Sequence, residues 1–229
     1  EALIPGALFI GMEQGKLVRF EELARCPQLV QDALLSILSE RQLQIPELQG
    51  EDGVLYAREG FNVIATSNSL DRGLFDMSAA LKRRLNFETI EPIDDLDAEL
   101  DIVQRESSLL ARQSGVEMAA DPAILDMLVT VFHELRNGQT LSGRSTDRLA
   151  AAVMSTAEAV AVAHALMVYA WYYRGGKMAP EDLLHFIIGA ALKDNPQDRR
   201  RVRHYFDTEV SGKQGAHWQQ LYEQRHLLD

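Results

Sequence analysis

The sequence predicts an α/β unit built on a parallel sheet, followed by a region made of helices alone. Two short apolar segments, Leu17–Phe20 and Phe61–Thr66, have the composition of strands, and each ends in polar residues. After Asp94 only helical periodicity remains. We therefore expect an α/β unit over residues 1–92 and a helical unit over residues 93–229, with the boundary at Pro92.

The first unit is predicted from turn residues and periodicity. Its elements, in chain order, are a short helix after Pro5-Gly6, the strand Leu17–Phe20, a helix from Pro27 to Arg41, a hairpin from Leu43 to Ala57, the strand Phe61–Thr66, a helix after Ser78 and a last strand from Leu85 to Thr89. Pro27 suits the first turn of its helix, and Ser78 is a typical helix cap. Gly50 to Gly53 turns the hairpin.

The second unit is predicted to contain helices only. They are Asp94–Arg112, Pro122–Arg136, Ser145–Tyr173 and Pro180–Lys193, with Gln197–Phe206 and Ala216–Leu228 in the tail. Gly175-Gly176 ends the third helix, and Pro180 begins the fourth. Seven acidic residues between Glu88 and Asp101 have no basic residue among them. We expect them to form a solvated connector and helix start, with a metal site as the alternative.

Composition argues against several classes of protein. The net charge of -11 argues against general nucleic-acid binding, which needs a basic surface to replace counterions. The single cysteine, Cys26, favours a reducing, cytoplasmic location. The apolar stretch Leu149–Tyr173 is long enough for a membrane span, but we expect a buried helix and no membrane partner.

Polar residues follow both predicted strands at the edge where parallel sheets bind ligands. Glu21-Glu22 follows the first strand, and Asn68 comes two residues after the second. Two carboxylates and an amide suit a site that holds a metal and orients a water. The alternatives are exposed acids at a strand end and ordinary turn chemistry for Asn68. No phosphate-binding loop of the form G-x-x-x-x-G-K-[ST] occurs, and we expect the chain to be a piece of a longer polypeptide.

Four motifs in order resemble those of MoxR-type AAA+ ATPases. Residues 16–42, from Lys16-Leu17-Val18-Arg19-Phe20-Glu21-Glu22 to Glu40-Arg41-Gln42, resemble the Walker B strand and the helix after it. Residues 63–68, 80–87 and 143–148 are similar to the sensor 1 strand, the arginine-finger segment and the sensor 2 motif of that family. The resemblance implies a partial P-loop AAA+ domain with an α-helical lid.

The resemblance also implies roles for the strand-end residues. Glu21 would hold Mg²⁺, Glu22 would orient or deprotonate the attacking water, and Asn68 would contact that water and the γ-phosphate. This sequence departs from the family pattern at Glu21, where the family has Asp, and at Arg19, since a charge inside a central strand is costly unless it is paired.

Two arginines complete the implied site. Arg84 matches the finger that a neighbouring subunit inserts against the γ-phosphate, and Arg83 is the candidate for acid pairing across that interface. Arg148 would reach the nucleotide from the lid. Without the resemblance, we would interpret Arg84 as an ordinary basic residue at the end of a helix and Arg148 as a surface residue at the start of one.

The resemblance implies an ATPase that binds ATP and Mg²⁺ between the subunits of a ring, commonly a hexamer, and remodels a partner protein. Such ATPases often work with a protein that carries a von Willebrand factor A domain. The second hypothesis is a degenerate scaffold or regulatory subunit without catalysis, motivated by Glu21 and Arg19. The third is an all-helical adaptor that acts through the region after Asp94.

Overall fold

The computed structural model describes residues 4–46, 48, 53–67, 77–147, 149, 154–192 and 196–229. The chain separates into two compact units, Glu1–Thr89 and Ile90–Asp229. The first contains helices and short strands, and the described part of the second contains helices with one isolated bridge. The predicted fold class is confirmed.

The first unit has a parallel strand pair and a hairpin. Its helices are Ala7–Gln14 (α1), Gln28–Glu40 (α2) and Ala79–Lys82 (α3), and its strands are Leu17–Phe20 (β1), Gln42–Gln44 (β2), Val54–Tyr56 (β3) and Asn62–Ala65 (β4). β1 and β4 pair in parallel, from Leu17 opposite Asn62 to Phe20 opposite Ala65. β2 and β3 form the predicted antiparallel hairpin. The carboxyl ends of β1 and β4 therefore lie side by side.

One face of the parallel pair covers a small core. Val18 and Phe20 of β1 and Val63 and Ala65 of β4 pack against buried residues that include Met12 and Leu81. α1 approaches β1 so closely that a Cβ at Gly11 would lie 2.2 Å from Cγ2 of Val18. Glycine at this position is what allows the close contact of helix and strand.

The prediction of a last strand in the first unit is wrong. Residues Leu85–Thr89 follow α3 without forming a strand. Within the described residues no neighbouring strand supplies the hydrogen-bond partners that a strand needs. Leu85 packs against the core while Phe87 is 62% exposed, so the alternation of apolar residues does not mark a paired strand.

The second unit consists of six helices with two short 3₁₀ turns among its described residues. They are Leu96–Gln113 (α4), Pro122–Asn137 (α5), Thr156–Tyr173 (α6), Pro180–Ala191 (α7), Pro196–Thr208 (α8) and Ala216–Glu223 (α9), with turns at Val210–Gly212 and Gln224–Leu228. α5 is buried along most of its length and lies at the centre of the core. Its start is fixed by Asp121, whose carboxylate caps the helix, and by Pro122 at the first position.

α6 begins later than the sequence predicts. The hydroxyl of Ser155 accepts a hydrogen bond from the main-chain N–H of Glu158, and the carboxylate of Glu158 accepts one from the main-chain N–H of Ser155, which together form a capping box. The predicted start, Ser145, instead forms a bridge with Gln139. Main-chain bonds from Thr146 to Gly138 and within residues 140–144 close this segment as a loop. The prediction of a helix from Ser145 is therefore wrong.

α6 is a one-sided core helix. Ala159, Ala163, Leu166 and Met167 are buried, whereas residues 171–173 at its end are exposed. None of the described helices combines the length and the apolar composition that crossing a membrane requires.

A buried ion pair connects the helices of the second unit. The carboxylate of Glu99 accepts hydrogen bonds from Arg136 Nη1 at 2.9 Å and Nη2 at 2.7 Å, and from Thr156 Oγ1 at 2.7 Å. Arg136 also donates to the main-chain oxygens of Ile93 and Met154, at 3.1 and 3.0 Å. Glu99 is fully buried, so the prediction of a wholly solvated acidic connector is wrong at this residue.

The ion pair determines the charge state of Glu99. Burial raises the pKa of Glu99, but the hydrogen bonds from Arg136 and Thr156 and the positive charge of Arg136 together outweigh burial and leave the pKa below its ordinary value of 4.5. Because the pKa is lowered by folding, the stabilisation is present above pH 4.5 and is lost as the pH falls through the lowered value.

We expect Glu99→Gln to lower the free energy of unfolding of the second unit by about 3–5 kcal/mol, because Arg136 is then a buried charge without its counterion. The two tryptophans of the chain, Trp171 and Trp218, both lie in this unit. Urea unfolding followed by tryptophan fluorescence therefore reports the second unit directly.

Asp182→Asn is the matched control for Glu99→Gln, because it breaks the pair with Arg174, whose side chain is 40% exposed. Loss of this pair is expected to cost much less than the loss of the buried pair, because water screens the partly exposed Arg174. The difference between Glu99→Gln and the parent chain should shrink as the pH falls below 4.5. A loss no larger than that of the control at neutral pH would contradict the assignment of Arg136 and Glu99 as a stabilising pair.

Candidate functional site

The ends of β1 and β4 bring the predicted acids next to the segment that follows β4. Phe20 lies opposite Ala65 at the last paired position. The main-chain N–H of Thr66 donates to the carbonyl of Phe20 at 2.9 Å, and the N–H of Leu23 donates to the carbonyl of Thr66 at 2.9 Å. These bonds continue the pairing beyond both strands and position Glu21 and Glu22 at this edge.

The hydroxyl of Thr66 contacts both acids. The main-chain N–H of Glu22 donates to Thr66 Oγ1 at 3.1 Å. The same hydroxyl donates to Oε2 of Glu21. Thr66 is not among the predicted site residues, although it is the first residue after β4, as Glu21 is the first after β1.

Glu22 has a left-handed backbone, with φ 58° and ψ 43°. This conformation costs a residue with a Cβ about 1–2 kcal/mol, and such residues cluster at functional sites. Glu22 precedes a 3₁₀ turn at Leu23–Arg25, which turns the chain sharply away from β1. Its carboxylate lies 3.1 Å from Nε of Arg25.

The two departures from the family pattern, Arg19 and Glu21, contact each other. Nη2 of Arg19 lies 2.5 Å from Oε1 of Glu21, and the two side chains are 73% and 49% exposed. Alternate residues of a strand share a face, which brings positions 19 and 21 together. The expected cost of a charge inside the strand is therefore avoided, because Arg19 is exposed and paired.

Arg84 lies on the surface just after α3. Nη1 donates to the carbonyl of Ala80 at 2.8 Å, and Nε donates to Oγ of Ser39 at the end of α2. Arg84 lines a cavity of about 270 Å³ with Leu23 and Ser67, the residues next to Glu22 and Asn68. Among the described contacts none joins Arg84 to Glu21 or Glu22.

Two predicted site residues, Asn68 and Arg148, lie outside the described residues. The residue before each of them is described. Ser67 lies at the strand-end cavity, and Asp147 lies 3.0 Å from Nδ1 of His204 on α8. The assignments of Asn68 and Arg148 stay predictions.

The side chains at the strand ends fit a magnesium ion by their chemistry. Glu21, Glu22 and Thr66 offer carboxylate and hydroxyl oxygens, the ligand type that Mg²⁺ prefers. Mg²⁺ usually binds one or two carboxylates together with phosphates and waters. Within the described residues no group of three or more His, Cys, Asp and Glu side chains is placed to hold a metal ion.

Comparison with known proteins identifies relatives of both units. Residues 97–229 match the family profile described as YehL-like AAA+ ATPase C-terminal domain, and residues 1–85 match the AAA domain of the dynein-related subfamily. The chain is 50% identical over all of its 229 residues to the protein YehL of Escherichia coli (strain K12) and covers 62% of that protein.

Two more distant similarities accompany these matches. The gas vesicle ATPase GvpN1 of Halobacterium salinarum (strain ATCC 700922 / JCM 11081 / NRC-1) is 28% identical over 134 residues, which are 58% of this chain and 35% of that protein. The crystal structure of NtrX from Brucella abortus in complex with ADP is 14% identical with a TM-score of 0.46, over 93% of this chain and 43% of that one.

Proposed function

The chain belongs to the family of YehL-like AAA+ ATPases, and on that premise we propose that it is the part of a MoxR-type ATP hydrolase that carries the acids and the arginine finger. The observation that carries this proposal is the placement of Glu21 and Glu22 at the carboxyl end of β1, beside the end of β4. The chain spans about three fifths of the length of its Escherichia coli relative, so the activity proposed is that of the full-length protein.

The proposed site binds the phosphates of ATP at the strand ends. Glu21 would hold Mg²⁺, which when bound supplies positive charge to the phosphate oxygens. Glu22 would accept a hydrogen bond from the attacking water and take its proton. Asn68 would orient the same water and donate to the γ-phosphate. This division of labour suits phosphoryl transfer, in which catalysis is mainly positioning and charge stabilisation.

Two arginines would complete the proposed site, one from a neighbouring subunit and one from the helical unit. Arg84 of a neighbouring subunit would stabilise the charge on the transferred phosphoryl group, and Arg148 would couple the helical unit to the nucleotide. A finger that acts in trans requires head-to-tail contacts, which close into a ring when the rotation permits. We propose a cytoplasmic hexamer that remodels a partner protein, with a von Willebrand factor A domain protein as the candidate partner.

A second candidate function is a scaffold without catalysis. It is favoured by the pairing of each acid with an arginine, Glu21 with Arg19 and Glu22 with Arg25. Such pairs lower the negative charge available to a metal and to a water. The pairs are exposed, and exposed pairs contribute only about 0–1 kcal/mol, so a bound metal and phosphate can displace them. We therefore favour the enzyme.

We expect the full-length protein to hydrolyse Mg·ATP and the 229-residue chain to show no turnover. The chain has no lysine-bearing phosphate loop, and that loop supplies much of the grip on the nucleotide. Phosphate release by both proteins at equal subunit concentration measures this. ATP binding without hydrolysis by the full-length protein would favour the scaffold. Steady turnover by the 229-residue chain would contradict the proposal that the site needs a phosphate loop from outside these residues.

A further inference from the structure

The side chain of Thr66 has a hydrogen-bond arrangement that its place in the strand does not require. The ladder between β1 and β4 is continued by main-chain atoms, from Thr66 N to the carbonyl of Phe20 and from Leu23 N to the carbonyl of Thr66. The hydroxyl adds two further bonds, one to the main chain of Glu22 and one to the carboxylate of Glu21. A residue chosen only to pair the strands would not need this hydroxyl.

Both bonding capacities of the hydroxyl are used on the acids. A threonine hydroxyl has one proton to donate and lone pairs to accept with. Thr66 Oγ1 accepts from the N–H of Glu22 and gives its proton to Oε2 of Glu21. Threonine is β-branched and its χ1 angle is therefore restricted, so fixing the direction of its hydroxyl costs little side-chain entropy.

The bond to Glu22 acts on a strained residue. The left-handed backbone of Glu22, at φ 58° and ψ 43°, sets the direction in which its side chain leaves the main chain. An N–H that is held by Thr66 Oγ1 stabilises this conformation against the extended one that a residue with a Cβ prefers. The bond to Glu21 restricts the carboxylate that is the candidate metal ligand.

We infer that Thr66 is a positioning residue for ATP hydrolysis, which sets the backbone of Glu22 and the carboxylate of Glu21 through one hydroxyl. This inference rests on the proposed function. Thr66 acts through the two acids and couples the end of β4 to the end of β1. A merely structural Thr66 would instead affect folding and leave the chemistry of folded protein unchanged.

Thr66→Val and Thr66→Ser in the full-length protein separate these roles. Valine keeps the shape and the β-branching but cannot make either bond, whereas serine keeps the hydroxyl. We expect Thr66→Val to lower kcat by about 10- to 100-fold, the cost of misplacing a reacting group, with KM for ATP changed by less than about threefold. Thr66→Ser should recover most of kcat.

A binding measurement gives a readout that does not depend on turnover. Titration of each nucleotide-bound variant with Mn²⁺, followed by electron paramagnetic resonance, should show weaker metal binding for Thr66→Val and near-parental binding for Thr66→Ser. Thr89→Val, at an exposed residue of the same unit, is the matched control and should leave both quantities unchanged. Circular dichroism restricts the comparison to folded protein.

The outcomes distinguish this inference from the proposed function. Unchanged kcat and unchanged Mn²⁺ binding in folded Thr66→Val, while Glu22→Gln is inactive, would overturn the role of Thr66 and leave the site assignment intact. Equal losses in Thr66→Val and Thr66→Ser would also overturn it, because the hydroxyl would then not be the active feature. Full turnover by Glu22→Gln would overturn the proposed function itself.

Discussion

We expect Glu22→Gln in the full-length protein to lower kcat for ATP hydrolysis by about 10²- to 10⁴-fold, the range that a positioned general base contributes. Glutamine keeps the size of the side chain and can still accept a hydrogen bond, but it cannot take the proton of the attacking water. Binding of ATP should change little, since the interaction lost is made in the transition state. Phosphate release and binding of a fluorescent ATP analogue measure the two quantities.

Glu13→Gln is the control for the loss of one negative charge. Glu13 is exposed on α1, which precedes the amino end of β1, so it lies at the opposite end of the strand from Glu22. Its turnover should equal that of the parent protein. Equal turnover in Glu22→Gln and Glu13→Gln would remove Glu22 from its role as base, even if the protein proves to be an ATPase.

We expect Arg84→Ala to lower kcat by about 10³-fold or more, the effect of removing an arginine that stabilises transition-state charge. The guanidinium is exposed and is held by Ser39 and by the carbonyl of Ala80, so its removal leaves no buried group unpaired. We therefore expect the variant to fold normally and to bind ATP. Phosphate release, with the oligomeric state checked by light scattering, measures the effect.

Arg83→Ala is the matched control for Arg84→Ala, because Arg83 is the adjacent exposed arginine at the end of the same helix. A pairing role across the interface predicts that Arg83→Ala weakens assembly while the assembled protein keeps most of its turnover. A loss of kcat in assembled Arg83→Ala larger than that in Arg84→Ala would transfer the finger assignment to Arg83.

The elements that were predicted correctly are those whose signals are local. The strands β1 and β4, the helix α2 and the β2–β3 hairpin follow from short apolar runs and turn residues. Their parallel pairing then places Glu21 and Glu22 at one sheet edge. The positions of these acids in the structure thus follow from strand boundaries that apolar runs and the polar residues after them locate.

The features that sequence analysis missed depend on contacts between distant residues. Glu99 lies in an acidic run and is buried because Arg136 and Thr156, 37 and 57 residues away, meet its carboxylate. Thr66 is recognisable as part of the site only when β4 lies beside β1. Ser145 and Ser155 are both of a residue type that caps helices. α6 begins after Ser155, which forms a capping box with Glu158.

The most direct test of a site shared between subunits is a mixing experiment with the two inactive variants. Glu22→Gln and Arg84→Ala subunits are given different affinity tags, exchanged, and purified through both tags so that only mixed rings are assayed. If Arg84 acts in trans, about a quarter of the sites in a random equal mixture pair an intact Glu22 with an intact Arg84, and turnover returns in that proportion. Mixed rings that stay as inactive as the parent variants would contradict the shared site.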